Sequence, residues 1–187
     1  MKIAHRQIMR IAMVLAMPRA LFPEIAEERF AGGAAVGWLF SAIAIGSMLG
    51  GLTSGWISRV RRQGVALVVA VVGWGVAVGL AGLADRLWLM VLLLAVGGAA
   101  DLVSSVYRQT ILQTYAPDRL RGRLQGVHSV GVAGGPRLGD LRAGATAELV
   151  GPSAAWAAGG FVAAGLAVLL ALMSPALTRY RPPEGDR

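Results

Sequence analysis

The stretch GVALVVAVVGWGVAVGLAGLA, residues 64–84, carries no ionisable side chain. At 1.5 Å per helical residue such a run reaches about 30 Å, the hydrocarbon thickness of a bilayer. A helix on the surface of a globular domain keeps one polar face, and this run has none. In lipid the backbone must satisfy itself, so a lone crossing segment is helical. Six apolar tracts of this kind can be marked, at about 8–25, 34–57, 65–84, 87–107, 124–150 and 153–173, each near the roughly 20 residues a crossing needs. Charged residues make up 15% of the 187, against 56% hydrophobic. The pattern predicts an all-α, polytopic membrane protein of six transmembrane helices over residues 1–178, followed by a tail at 179–187.

The connections between tracts give an orientation. Lys2, Arg6 and Arg10 precede the first tract, and Arg59, Arg61 and Arg62 lie between the second and third. Arg108, Arg119, Arg121 and Arg123 lie between the fourth and fifth, and Arg179, Arg181 and Arg187 follow the sixth. The alternate connections hold only Arg29 and Arg86, beside Glu27, Glu28 and Asp85. Basic residues collect on the cytoplasmic side, which predicts a multi-pass protein of the plasma (inner) membrane with both termini in the cytoplasm. Pro18 and Arg19 interrupt the first tract and no small-residue cleavage site follows, so a cleaved leader is not expected.

Several function classes fall away. The net charge of +8 is spread over short connections, unlike a face that reads nucleic acid. Cys is absent, which removes thiolate metal sites, disulfides and thiol nucleophiles. His5 and His128 stand without catalytic company, and no HExxH run or phosphate-binding glycine loop occurs. Neither an enzyme nor a bound metal or cofactor is expected.

The remaining signal is charge inside the tracts. The third and sixth tracts have none, whereas the first carries Arg19, the fourth Asp101, and the fifth Arg137, Asp140, Arg142 and Glu148. Charges at membrane depth face protein or water. The first, fourth and fifth tracts therefore line something polar, and the third and sixth are expected to face lipid. One and four match, as do three and six, as in a three-helix unit used twice, the 3+3 arrangement of secondary transporters. Asp101 stands about 20 Å along its tract, with Arg108 two turns further on the same face. It has no opposite charge at i±3 or i±4. It is either capped by Ser104, Ser105 or another helix, or it titrates. Arg137 and Asp140 are i,i+3 neighbours and either neutralise each other or meet partners elsewhere. Pro18 and Pro23 are expected to break or kink the first span beside Arg19. Trp38, Trp74, Trp88 and Trp156 fall near tract ends, the place of interfacial anchors. Glycines at four-residue spacing, Gly46/Gly50, Gly51/Gly55, Gly75/Gly79 and Gly131/Gly135/Gly139, allow close helix approach.

LQTYAPDRLRGRLQGV, residues 112–127, resembles the loop after the tenth helix of major facilitator superfamily transporters, in the enterobactin-exporter-like branch. Gln113, Pro117, Asp118, Gly122, Arg123 and Gly126 carry the match. GGLTSGWISRVRRQG, residues 50–64, is similar to the cytoplasmic motif of each half of that superfamily, with Gly55, Arg59, Arg61 and Arg62 retained and no acidic residue in its usual place. The resemblance implies the second six-helix half of a twelve-helix bundle that exports a small molecule, such as a siderophore or drug, usually by proton antiport. It implies cavity-lining first, second, fourth and fifth helices, with Asp101 and Asp140 as proton-coupling candidates. Arg19, Arg108 and Arg137 become candidates for substrate or counter-charge contacts. Gly55, Arg59, Arg61, Arg62, Pro117, Asp118, Gly122 and Arg123 become candidates for gating. The expected partners are membrane lipid, a small-molecule substrate, and an N-terminal half or a second copy. The alternative is a half that does not transport and serves as a membrane interaction module.

Overall fold

A computed structural model of the protein describes residues 19–30, 32–55, 60, 63–115 and 118–173. A 3-10 turn at Arg19–Leu21 runs into α1 (Phe22–Phe30). After it come α2 (Gly33–Leu52), α3 (Gln63–Gly82), α4 (Leu87–Tyr115), α5 (Asp118–Val150) and α6 (Pro152–Met173). Among the described residues there is no strand. Most of the tract at 8–25 lies outside them, as does Pro18. Pro23 stands in the first turn of α1, where its missing N–H has no intrahelical partner to lose.

Four helices are long and apolar enough to cross a membrane, over Gly33–Leu52, Gly64–Gly82, Leu87–Thr110 and Pro152–Met173. α5 is the longest at 33 residues but carries the charges that keep it out of this set. α4 and α5 both continue beyond the apolar tracts, so the described residues of the basic connection between them are helical. A helix closes its own backbone hydrogen bonds in either solvent, and Arg, Gln and Leu are good helix formers.

Two glycines of positive φ delimit the long helices. Gly151, at φ 83°, separates α5 from α6. It donates its N–H to the Ala147 carbonyl at 2.8 Å, and its own carbonyl accepts from Ala155 at 3.0 Å. Pro152 then opens α6, the familiar Gly-stop, Pro-start pairing. Gly32, at φ 92° and ψ −148°, occupies a region essentially reserved for glycine and caps α2.

Two helix pairs pack with their backbones in close contact, and α3 also packs along α4. α3 meets α6 with backbones in contact: a Cβ at Gly160 would strike Gly79 and the Gly75 carbonyl, and one at Gly75 would reach the Ala164 nitrogen at 2.8 Å. α2 meets α4 in the same way, through Gly46 against Ala95, Gly50 against Ala99, and Gly98 against Ile43. Ser47 fixes this second pair by donating from Oγ to the Gly98 carbonyl at 3.0 Å. Lipid tails are as apolar as the side chains, so association rests on such close van der Waals contact. Gly51 has only ordinary contact with Leu102, and Gly55 faces open space.

The tryptophans divide. Trp38 and Trp88 are exposed, but Trp74 and Trp156 are buried in the core, contrary to the interfacial placement of all four. Tract position marks depth along the membrane normal and says nothing about which side of the helix an indole occupies. Trp156 donates from Nε1 to the Val78 carbonyl at 2.9 Å. Its ring stacks on Phe22 at 4.8 Å and 13°, so one side chain ties α6 to α3 and to α1. The exposed faces of α3 and α6 present Val69, Val76, Leu80, Phe161, Val162 and Val168.

Candidate functional site

The polar side chains fall into two groups, on α4 and on α5. On α4, Asp101 lacks a counter-charge one turn away, and Arg108 meets it from two turns away. Arg108 Nη2 donates to Asp101 Oδ1 at 3.3 Å, in an ion pair with only part of each side chain exposed. The arm of Arg108 is steadied along its length, because Nε donates to the Ser104 carbonyl at 3.2 Å. Ser104 is fully buried, and its hydroxyl donates to the Asp101 carbonyl at 2.9 Å. Ser104 thus braces the helix between the charges and leaves the carboxylate to Arg108.

The second group joins α5 to the start of α1. Asp140 Oδ1 accepts the backbone N–H of Ala20 at 3.0 Å, across 120 residues of sequence. An anionic oxygen on the exposed first N–H groups of a helical turn satisfies a donor that the helix itself cannot. Arg19 is brought beside Asp140 by this contact, and its side chain is exposed. Arg137 is exposed as well, and among the described residues no ion pair joins it to Asp140. The carboxylate is engaged with the 3-10 turn before α1 instead. Arg142, half-buried, encloses Nε and Nη2 completely with no hydrogen-bond partner. Sequence reasoning gave Arg142 no role. The signal was the same one that singled out Asp101: Leu138, Gly139, Ala145 and Thr146 at i±3 and i±4 carry no charge.

The gating candidates are only partly described. Gly55 ends the turn after α2 and is exposed, and Asp118 opens α5 with Gly122 exposed one turn on. Arg59, Arg61, Arg62 and Pro117 lie outside the described residues, as do the side chains of Asp118 and Arg123. At the other end of the bundle Arg29 donates to the Ala84 carbonyl at 3.1 Å and pairs with Asp85 at 3.7 Å. The end of α1 and the α3–α4 turn therefore share one side of the bundle. An open groove of about 440 Å³, lined by Val60, Val65, Val69, Ala70, Ala100 and Val103, is apolar throughout. It offers no group to orient a solute. No cluster of potential metal ligands occurs among the described residues.

The sequence profile of the Major Facilitator Superfamily matches residues 9–187. The chain belongs to this superfamily. It is a multi-pass membrane protein, built as superfamily members are from long apolar helices. Enterobactin exporters EntS from Escherichia coli O81 (strain ED1a), Shigella boydii serotype 18 (strain CDC 3083-94 / BS512) and Escherichia fergusonii (strain ATCC 35469) are similar to it. Each is 33% identical over 168 residues, which is 89% of this chain and 40% of the relative. The chain thus spans 40% of the length of these superfamily relatives. No solved structure matches.

Proposed function

We propose that this chain forms one six-helix half, in a 3+3 arrangement, of a twelve-helix exporter in the plasma (inner) membrane. Residues 1–178 make the bundle, with the tail at 179–187 and both termini in the cytoplasm. The cargo is a small molecule such as a siderophore or drug, moved outward in exchange for protons. The observation that carries this reading is the 33% identity to enterobactin exporters along 89% of the chain.

The mechanism rests on the two polar groups. Protonation of Asp101 discharges the carboxylate that Arg108 holds. That shifts the balance between inward- and outward-open states. Asp140 does the same for the start of α1, since a neutral carboxyl grips the Ala20 N–H less firmly. Arg19 and Arg137 receive anionic groups of the cargo. Gly55, Arg59, Arg61, Arg62, Pro117, Asp118, Gly122 and Arg123 form the gate on the cytoplasmic side. A second six-helix half, or a second copy of this chain, completes the bundle. The faces of α2 and α4 that expose Trp38, Phe40, Met48, Trp88 and Leu92 are available to it.

Everted vesicles from cells carrying the chain test this directly. Enterobactin should enter them when a pH gradient is imposed, and Asp101→Asn should abolish the dependence on that gradient. Movement by Asp101→Asn that follows the gradient as the unsubstituted protein does would refute the proton role. No movement by the unsubstituted protein would refute the exporter.

A further inference from the structure

The open groove of about 440 Å³ between α3 and α4 has a definite place along the membrane normal. The crossing segment of α3 begins at Gly64, so Val65, Val69 and Ala70 on one wall stand within about 9 Å of an interface at 1.5 Å per residue. On the facing wall Ala100 and Val103 stand about 15 and 10 Å short of Thr110, where the crossing segment of α4 ends. Both walls therefore lie in the same half of a hydrocarbon layer roughly 30 Å thick. Val60, in the connection that leads into α3, lines the groove as well. Val69 is 64% exposed and shares a helical stripe with exposed Val76 and Leu80, so the groove opens onto the apolar outer face of α3.

The groove and the chain beside it differ in chemistry. The lining is apolar side chains throughout. A polar solute finds nothing there to orient it, whereas an acyl chain needs nothing. In sequence Val60 is flanked by Arg59, Arg61 and Arg62, and no acidic residue occurs between Glu28 and Asp85. Consecutive Cα atoms are 3.8 Å apart, so the three arginine Cα atoms lie within about 8 Å of the Val60 Cα. A basic segment beside an apolar groove between membrane helices is the arrangement that holds an anionic lipid head group. The planar guanidinium also suits a phosphate, which it meets with two parallel hydrogen bonds. A second copy seated in the same groove would bring its own three arginines to this level and set like charges against one another.

We propose that this groove seats an acyl chain of an anionic phospholipid, with the lipid phosphate answered by the arginines that flank Val60. The leaflet is the cytoplasmic one in the orientation proposed above. The chain lies along Ala66, Ala70, Ala100 and Val103, and the charge of the head group selects among lipids with equal tails. The site involves neither the cargo nor proton coupling, so it goes beyond the exporter reading and stands or falls separately from it.

Native mass spectrometry of the purified protein in mild detergent reads the occupancy, with equimolar dioleoyl phosphatidylglycerol and dioleoyl phosphatidylethanolamine as competitors. Each arginine near an anionic surface is worth roughly fivefold in affinity, so phosphatidylglycerol should be retained at least tenfold over its neutral competitor. Replacing Arg59, Arg61 and Arg62 together by Gln should bring the two lipids to within about twofold of each other. Ala66→Phe, which fills the groove, should lower retention of both lipids about tenfold. Equal retention of the two lipids by the unsubstituted protein would overturn the proposal, as would retention that Ala66→Phe leaves unchanged. Displacement of the lipid by millimolar glycerol phosphate, a head group without tails, would show that the anion alone is recognised and would also overturn it. So would loss of a dimer in Ala66→Phe with the lipid preference intact, because the groove would then belong to a second copy. Should Ala66→Phe fail to fold, the arginine variant decides, and a full preference for phosphatidylglycerol in that variant refutes the site.

Discussion

Trp156 joins a hydrogen bond to the Val78 carbonyl with a stacked Phe22. Phe at this position keeps the ring against Phe22 but loses the N–H. Trp156→Phe should therefore lower stability by about 1–2 kcal/mol, the scale of one buried hydrogen bond. Thermal unfolding in detergent checks this, and an unchanged midpoint would show that the hydrogen bond contributes nothing net. Residues also set the limit of what sequence can reveal. The isolation of Asp101 was visible in its i±3 and i±4 neighbours, and Arg108 was visible two turns away. The use of Asp140 was not, because its partner is a backbone N–H 120 residues distant. A contact with a main-chain donor leaves no trace in residue identity. The burial of Trp74 and Trp156 was hidden for a related reason, since neither helix has a polar face to mark its inward side.

Among the elements, the α3–α6 pair has no spare room. Gly160→Leu must push the Gly75 and Gly79 backbone away, and no flexible side chain can yield in its place. It should cut the yield of folded, monodisperse protein several-fold, read by size-exclusion fluorescence. Gly165→Ala, where a methyl meets nothing within 4 Å, should behave as the parent. Gly151→Ala tests the turn: at φ 83° an added Cβ is strained, and a loss of about 1–2 kcal/mol in thermal unfolding is expected. Helices were legible because the apolar runs are long and uninterrupted. The ends of α4 and α5 were not, because hydropathy reports where lipid stops and a helix need not stop with it. The four-residue glycine spacing was informative at Gly46/Gly50 and Gly75/Gly79. At Gly55 the same spacing corresponds to open space, so spacing alone does not select the contact.

For the whole molecule, the absence of cysteine in the sequence permits a clean topology experiment. Asp85→Cys and Leu149→Cys should react with a membrane-impermeant maleimide added to intact cells. Gly122→Cys should react only after the membrane is opened. Labelling of Gly122→Cys in intact cells would invert the orientation drawn from the basic connections. α4 has 29 residues and α5 has 33, or about 44 and 50 Å at 1.5 Å per residue, against a hydrocarbon layer of about 30 Å. Both therefore carry polar turns beyond the lipid, and only residues 116 and 117 part them. A connection of two residues spans at most about 11 Å, so the two polar ends stay neighbours. The Asp101–Arg108 ion pair lies on one of the two helices, and Arg137, Asp140, Arg142 and Glu148 lie on the other.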